Sequence, residues 1–116
     1  MNVDGYWYLE GVTSTEFEAD PFVDGTLSAR WWAVIAGTTL TLYENTGHGV
    51  MQSNEVISTK NYNAHLAASL MLGGSESIRP KLIVDGDTMI AKQSSTEMHY
   101  KRSTKTLFDK WYSLKK

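Results

Sequence analysis

The chain has 116 residues, 41% hydrophobic and 21% charged, with a formal net charge of −2 and no cysteine. That is enough for one domain with its own core, too little for two, and ordinary enough to exclude wholesale disorder. The absence of Cys removes disulfides, thiolate metal sites and a cysteine nucleophile, while no apolar run reaches the roughly 18 residues of a membrane span and the N-terminus lacks a signal pattern. A cytoplasmic setting is therefore expected. Charge is unevenly placed: residues 1–46 hold seven acids (Asp4, Glu10, Glu16, Glu18, Asp20, Asp24, Glu44) against Arg30 alone, and the other Lys and Arg all follow. Such polarity marks an interaction face, or simply a solvated loop and helix.

Gly5 to Val12 is aromatic-rich and predicts a first strand. Thr13 to Asp24 is polar and acidic, with Pro21 and Asp24-Gly25 as turn signals. It reads as a long loop, ordered locally around Phe17, with Phe22 and Val23 folding back onto the sheet. A second strand is expected from Thr26, with Trp31 to Ile35 aromatic and β-branched. Gly37 supplies the positive φ of a tight turn, and Thr38 to Tyr43 then sets Leu40 and Leu42 against Thr39, Thr41 and Tyr43. Thr46 to Gly49 is a turn, and Asn54 to Lys60 predicts a fourth strand. Tyr62 to Leu72 suits a helix or a strand, with strand preferred. Pro80 to Val84 and Asp87 to Ala91 flank Asp85-Gly86, a strong hairpin signal. Thr96 to Arg102 alternates and ends the strands. Thr104 is a plausible N-cap for the one clear helix, whose stripe is Leu107, Phe108, Trp111 and Leu114.

Arg30-Trp31-Trp32-Ala33-Val34-Ile35, a turn, then Leu40-Thr41-Leu42-Tyr43-Glu44-Asn45 resembles the second and third strands of a pleckstrin-homology (PH) domain. The opening Gly5-Tyr6-Trp7-Tyr8-Leu9, and the closing strand, Thr104 and helix with Trp111, are similar to that family's two ends. The resemblance implies a mostly β fold: a seven-stranded, partly open barrel or sandwich capped by one C-terminal helix. It implies one domain over residues 1–116, with strands and loops to 102 and the capping helix at 104–115. Trp7, Leu40, Leu42, Leu107 and Trp111 are the expected core. PH modules normally sit inside longer proteins, so a longer parent chain is implied. Residues 46–79 lie outside the match, and Arg102 stands where the family usually carries a small residue. Gly5-x-Trp7 also resembles the opening of lipocalin-like barrels, whose late basic residue, here within Lys101-Arg102, packs over that Trp. An apolar ligand inside a small barrel is the alternative this implies.

No catalytic constellation stands out. His48, His65 and His99 fall in three separate elements with no metal spacing, and the sequence contains no phosphate loop, nucleophile elbow or dinucleotide fingerprint. No metal, cofactor or enzymatic activity is expected. Head-group binding by PH domains uses a Lys ending strand one and a basic-x-Arg opening strand two. Here the latter reads Ser28-Ala29-Arg30, so Arg30 alone matches, and the loop that would embrace phosphates carries Glu16, Glu18, Asp20 and Asp24. Four carboxylates repel a phosphate. Arg30, Lys92, Lys101 and Arg102 are the candidates for any head-group or anionic ligand. Trp32, Phe22 and Lys105 are the candidates for contact with a partner, since only one of Trp31 and Trp32 can face inward. The expectation is an adaptor-like module that binds a protein, with a membrane phosphoinositide as the weaker alternative and no nucleic acid.

Overall fold

The hairpin expected around Gly37 is present and lies one strand in from an edge of the sheet. In the computed structural model, which describes residues 2–14, 17–19 and 26–116, the strands are β1 (Gly5–Thr13), β2 (Phe17–Ala19), β3 (Trp31–Ala36), β4 (Thr39–Asn45) and β5 (Val50–Val56). After helix α1 (Tyr62–Leu70) come β6 (Lys81–Asp85), β7 (Thr88–Gln93), β8 (Thr96–Arg102) and helix α2 (Lys105–Lys115). The antiparallel order is β5-β4-β3-β1-β8-β7-β6, with β2 pairing β1 off this path. The two ends, β5 and β6, do not pair, so the sheet is not closed into a barrel. The fold is mostly β with a C-terminal helix, as the sequence indicated.

Cross-strand partners share a face, so the register sorts the side chains. Trp7, Ala33, Leu42 and Ser53 lie opposite one another in turn, as do Leu9, Tyr100, Met89 and Val84. This inner face carries the main core, which includes Trp7, Leu9, Ile35, Leu40, Met89 and Tyr100. The other face carries Tyr8, Trp32 and Tyr43. There α2 docks, and Phe108 and Trp111 complete a second cluster with Tyr8, Ala29 and Trp32. The capping helix thus covers the outer face of β1, β3 and β4 and does not plug an interior. Thr104 caps it, accepting from the Leu107 N–H at 3.2 Å. Leu114, placed on the apolar stripe, is 64% exposed, because Tyr112, not Leu114, turns toward Tyr43.

Residues 62–70 are a helix and not the preferred strand. Ala64, Ala67, Ala68, Leu66 and Leu70 are strong helix formers, and the small side chains let the helix lie close on the inner face, where Leu66, Ala67 and Leu70 are buried. Burying the two leucines contributes about 1.5–3 kcal/mol each. Its two ends are pinned. The Tyr62 hydroxyl donates to the Gly37 carbonyl at 2.9 Å, and the wholly buried Tyr100 hydroxyl donates to the Leu70 carbonyl at 2.6 Å, satisfying a helix-end acceptor. Burial pushes the Tyr100 hydroxyl pKa well up. Leu72, with φ 58°, ends the helix in the left-handed region.

Two boundaries also differ. Residues 26–28 form a 3-10 turn before β3 begins at Trp31. The fourth predicted strand, Asn54–Lys60, lies instead at Val50–Val56, because the Thr46 N–H bonds the Gly49 carbonyl at 3.0 Å and pairing starts directly after that turn. Phe17 lies in a short strand. Phe22 and Val23 lie outside the described residues.

Candidate functional site

The inner face of β5 departs from its neighbours. Where β3 and β4 present Ala33, Ile35, Leu40 and Leu42, β5 presents Met51, Ser53 and Glu55. With polar Ser53 and Glu55 facing α1, a cleft of about 490 Å³ opens between β5 and the helix. Trp31 and Leu42 form its apolar wall, and Ser53, Glu55, His65 and Ser69 its polar one. Small residues on the far side (Ala68, Gly73, Gly74) leave the room.

Glu55 is the hub. Its Oε2 accepts from the Ser69 hydroxyl at 2.6 Å and its Oε1 from His65 Nε2 at 2.8 Å. His65 Nδ1 accepts from the Ser58 N–H at 2.9 Å, so Nε2 must carry the proton and the tautomer is set by its partners. His65 and Ser69 reach one carboxylate because they are four apart on a helix. Burial alone would raise the Glu55 pKa, but the hydrogen bonds from Ser69 and His65 outweigh it and hold the carboxyl below its ordinary value. Neither His65 nitrogen faces Ser69, so the group lacks the nucleophile–base contact of a serine hydrolase. Among the described residues the cleft lining has two carboxylates, Glu55 and Glu76, and no Lys or Arg, which suits a hydrogen-bond donor or a cation.

β5 also has a free edge. Thr46–Gly49 and Thr38–Ile57 bond across the hairpin, so odd-numbered residues of β5 turn their backbone groups to β4. The N–H and C=O groups of Gln52 and Asn54, and the N–H of Val56, therefore face away from the sheet, and among the described residues no neighbouring strand takes them. Met51 is 64% and Val56 73% exposed.

The predicted ligand residues do not converge. Arg30 pairs with Glu44 at 3.3 Å, and Lys92 with Glu97 at 3.5 Å, near the far end of β1. Lys101 is exposed on the outer side of β8. Arg102 lies at the opposite end of β8 from Glu97. It stacks 4.3 Å over Trp7, pairs with Asp87 at 3.2 Å, and donates to the carbonyls of Asn2 and Asp4. A Cβ on Gly5 would meet the Arg102 guanidinium at 2.8 Å, and φ there is +141°, so only glycine fits. Among the partner candidates, Trp32 is corrected: it is fully buried under α2 and is no surface anchor. Lys105 is exposed and pairs with Asp109 at 2.6 Å, and Phe22 is outside the described residues. Of the expected core, Trp7, Leu40 and Trp111 are fully buried, Leu42 and Leu107 partly. His48 is exposed in its turn, and His99 meets Thr13 Oγ1 at 2.9 Å and Glu97 at 3.1 Å.

No family model and no curated protein matches the chain. In fold it is similar to the crystal structure of an uncharacterized protein from Bacteroides eggerthii, with TM-score 0.55 and 10% identity over 88% of this chain and 100% of that one. At that identity the likeness concerns the fold. Among the described residues no helix is long and apolar enough to cross a membrane, and no group of three His, Asp or Glu is placed to hold a metal ion.

Proposed function

We propose that this chain is a non-enzymatic interaction module of PH type, an adaptor that binds an extended segment of a partner protein along β5. The free edge of β5 carries this reading. Edge strands are ordinarily blunted by Lys, Pro or a cover; Val50–Val56 has no Lys or Pro and one charge, Glu55, and among the described residues no strand pairs with its outer edge. A strand added there would pair with Gln52, Asn54 and Val56 and send alternate side chains toward the cleft, the mode of β-strand addition. The two lining carboxylates favour a segment with a basic side chain at the inward position. Protein contact is preferred to head-group binding at Arg30, because Glu44 already neutralises that arginine. Within this reading the module works in the cytoplasm, at a membrane or the cytoskeleton where its partner resides.

A photo-crosslinking residue at Gln52 tests this, with one at Lys110 on α2 as control. Capture of a partner at Gln52 alone, abolished by Asn54→Pro, is expected. Equal capture at both positions, or capture indifferent to the proline, overturns it, and capture of a second copy turns the module into a homodimer.

Arg102 over Trp7 favours a second reading, a lipocalin-like role of holding an apolar ligand, here on an open sheet. The buried Leu66, Leu70 and Tyr100 fill the inner face, so such a ligand would have to enter the open cleft. Saturable binding of cis-parinaric acid, lost on Ser69→Trp, would move the assignment there.

A further inference from the structure

We infer that the outer face of β6 and β7, at the Arg79 end, binds a phosphate-bearing anion. Lys81 and Lys92 are direct cross-strand partners, an arrangement of like charges that destabilises a sheet unless a counter-charge is near. They share with Arg79, Ile83 and Ser94 a cleft of about 360 Å³ whose lining, among the described residues, contains three cations, a hydroxyl and no carboxylate. Glu97 offsets Lys92 alone, and among the described residues Arg79 and Lys81 have no acidic partner.

Arg79 reaches the cleft from the end of the 3-10 turn at Glu76–Ile78, with φ 54° and ψ 57°, a left-handed conformation that glycine would adopt without strain. Edge protection accounts for Lys81, since β6 is an edge strand. It does not account for Lys92 on an interior strand or for Arg79 in a loop. A phosphate between the three would replace repulsion with charge-assisted hydrogen bonds, and Ser94 adds a neutral donor. Two exposed apolar side chains flank the cations, Ile78 at 44% and Ile83 at 46%. The same phosphate chemistry could therefore come from a free polyphosphate or from an anionic lipid surface that the isoleucines would enter. This site lies on the opposite edge of the sheet from β5 and does not depend on the reading of that strand.

The test is an amide NMR titration with sodium pyrophosphate at constant ionic strength, and a flotation assay with phosphatidylcholine vesicles with and without phosphatidylserine. The expected result is saturable shifts at Arg79, Lys81, Lys92 and Ser94, weakened at least tenfold by Lys81→Thr. That variant should fold normally and have a higher thermal midpoint without phosphate, because the like-charge pair is gone. Pyrophosphate shifts without vesicle binding assign a soluble phosphate ligand. Serine-lipid-dependent flotation lost in Lys81→Thr, and reduced by Ile83→Ser, assigns a membrane surface. Shifts that sodium chloride reproduces, or binding that Lys81→Thr leaves intact, overturn the inference, as does the absence of both responses.

Discussion

Removing Trp111 measures how much of the fold depends on the docking of α2. Its side chain is fully buried against Trp32 and Phe108, with ring centroids 5.9 Å from each, and Nε1 donates to the buried Ala29 carbonyl at 2.7 Å. Trp111→Ala therefore opens a cavity and strands an acceptor. Large aromatic-to-alanine changes in a core cost about 3–5 kcal/mol, and the orphaned carbonyl sets this case at the upper end. A chain of this length has a total stability of about 6–15 kcal/mol, so the variant should lose a third or more of it. With roughly 4 °C of thermal midpoint per kcal/mol at this size, the midpoint falls by roughly 20 °C.

Urea unfolding followed by far-ultraviolet circular dichroism is the assay, since deleting a tryptophan alters fluorescence directly. An unchanged slope against urea would show that the whole domain, not α2 alone, loses stability. Trp111→Phe keeps one aromatic ring but loses the donor and the rest of the indole, and should cost more than the hydrogen bond alone, about 1–2 kcal/mol, and less than the alanine variant. Leu114→Ala, on the same sequence stripe but exposed, should stay within about 0.5 kcal/mol. A loss below about 1 kcal/mol for Trp111→Ala would falsify the docking, and a Leu114→Ala loss equal to it would mean that α2 is rotated.

Tyr100→Phe leaves the Leu70 carbonyl without its donor and should cost about 1–3 kcal/mol by the same urea assay; a neutral result would mean that water takes the hydroxyl's place. Glu55 has a folded pKa below its ordinary 4.5, so its contribution is present in full above that value and is lost as pH falls through the folded pKa. The thermal midpoint of the native chain should therefore drop below about pH 4.5 more steeply than that of Glu55→Gln, and parallel curves would refute the hydrogen-bonded hub. Arg30→Ala should leave binding to inositol hexakisphosphate and to anionic vesicles unchanged, because Glu44 already occupies that guanidinium; a tenfold loss of affinity would restore a head-group site at β3.

The elements that the sequence predicts well each carry two agreeing local signals. The β3–β4 hairpin has alternation and a glycine turn, β6–β7 has two short apolar runs about Asp85-Gly86, and α2 has an N-cap and an apolar stripe. Where only one signal exists, the reading drifts. Residues 62–70 are apolar without a clean stripe, and Asn61 makes no side-chain cap hydrogen bond, so neither helix nor strand is specified locally. The inner face of the sheet decides it by accepting a close-packed alanine-rich helix. Val50–Val56 has no alternation to read, because none of its residues is buried. Its register comes from β4 and the turn.

These two ambiguous segments are also the two walls of the cleft, and that coincidence has a physical basis. Glu55, His65 and Ser69 meet only if 62–70 is a helix, which puts His65 and Ser69 one turn apart, and only if β5 starts at Val50, which puts Glu55 inward. Their partnership is tertiary and leaves no trace at any sequence spacing. Sequences that specify one structure keep local pattern and global fold in agreement, and departures concentrate where a surface serves something other than folding. β5 is such a departure. It has the hydrogen-bonding groups of a central strand, the exposure of a loop, and apolar side chains at Met51 and Val56 that the folded chain leaves in water. A partner strand laid on its free edge would supply the missing neighbour and cover part of that surface. The pattern that makes β5 hard to read from sequence is the one expected of a strand that is completed only on binding.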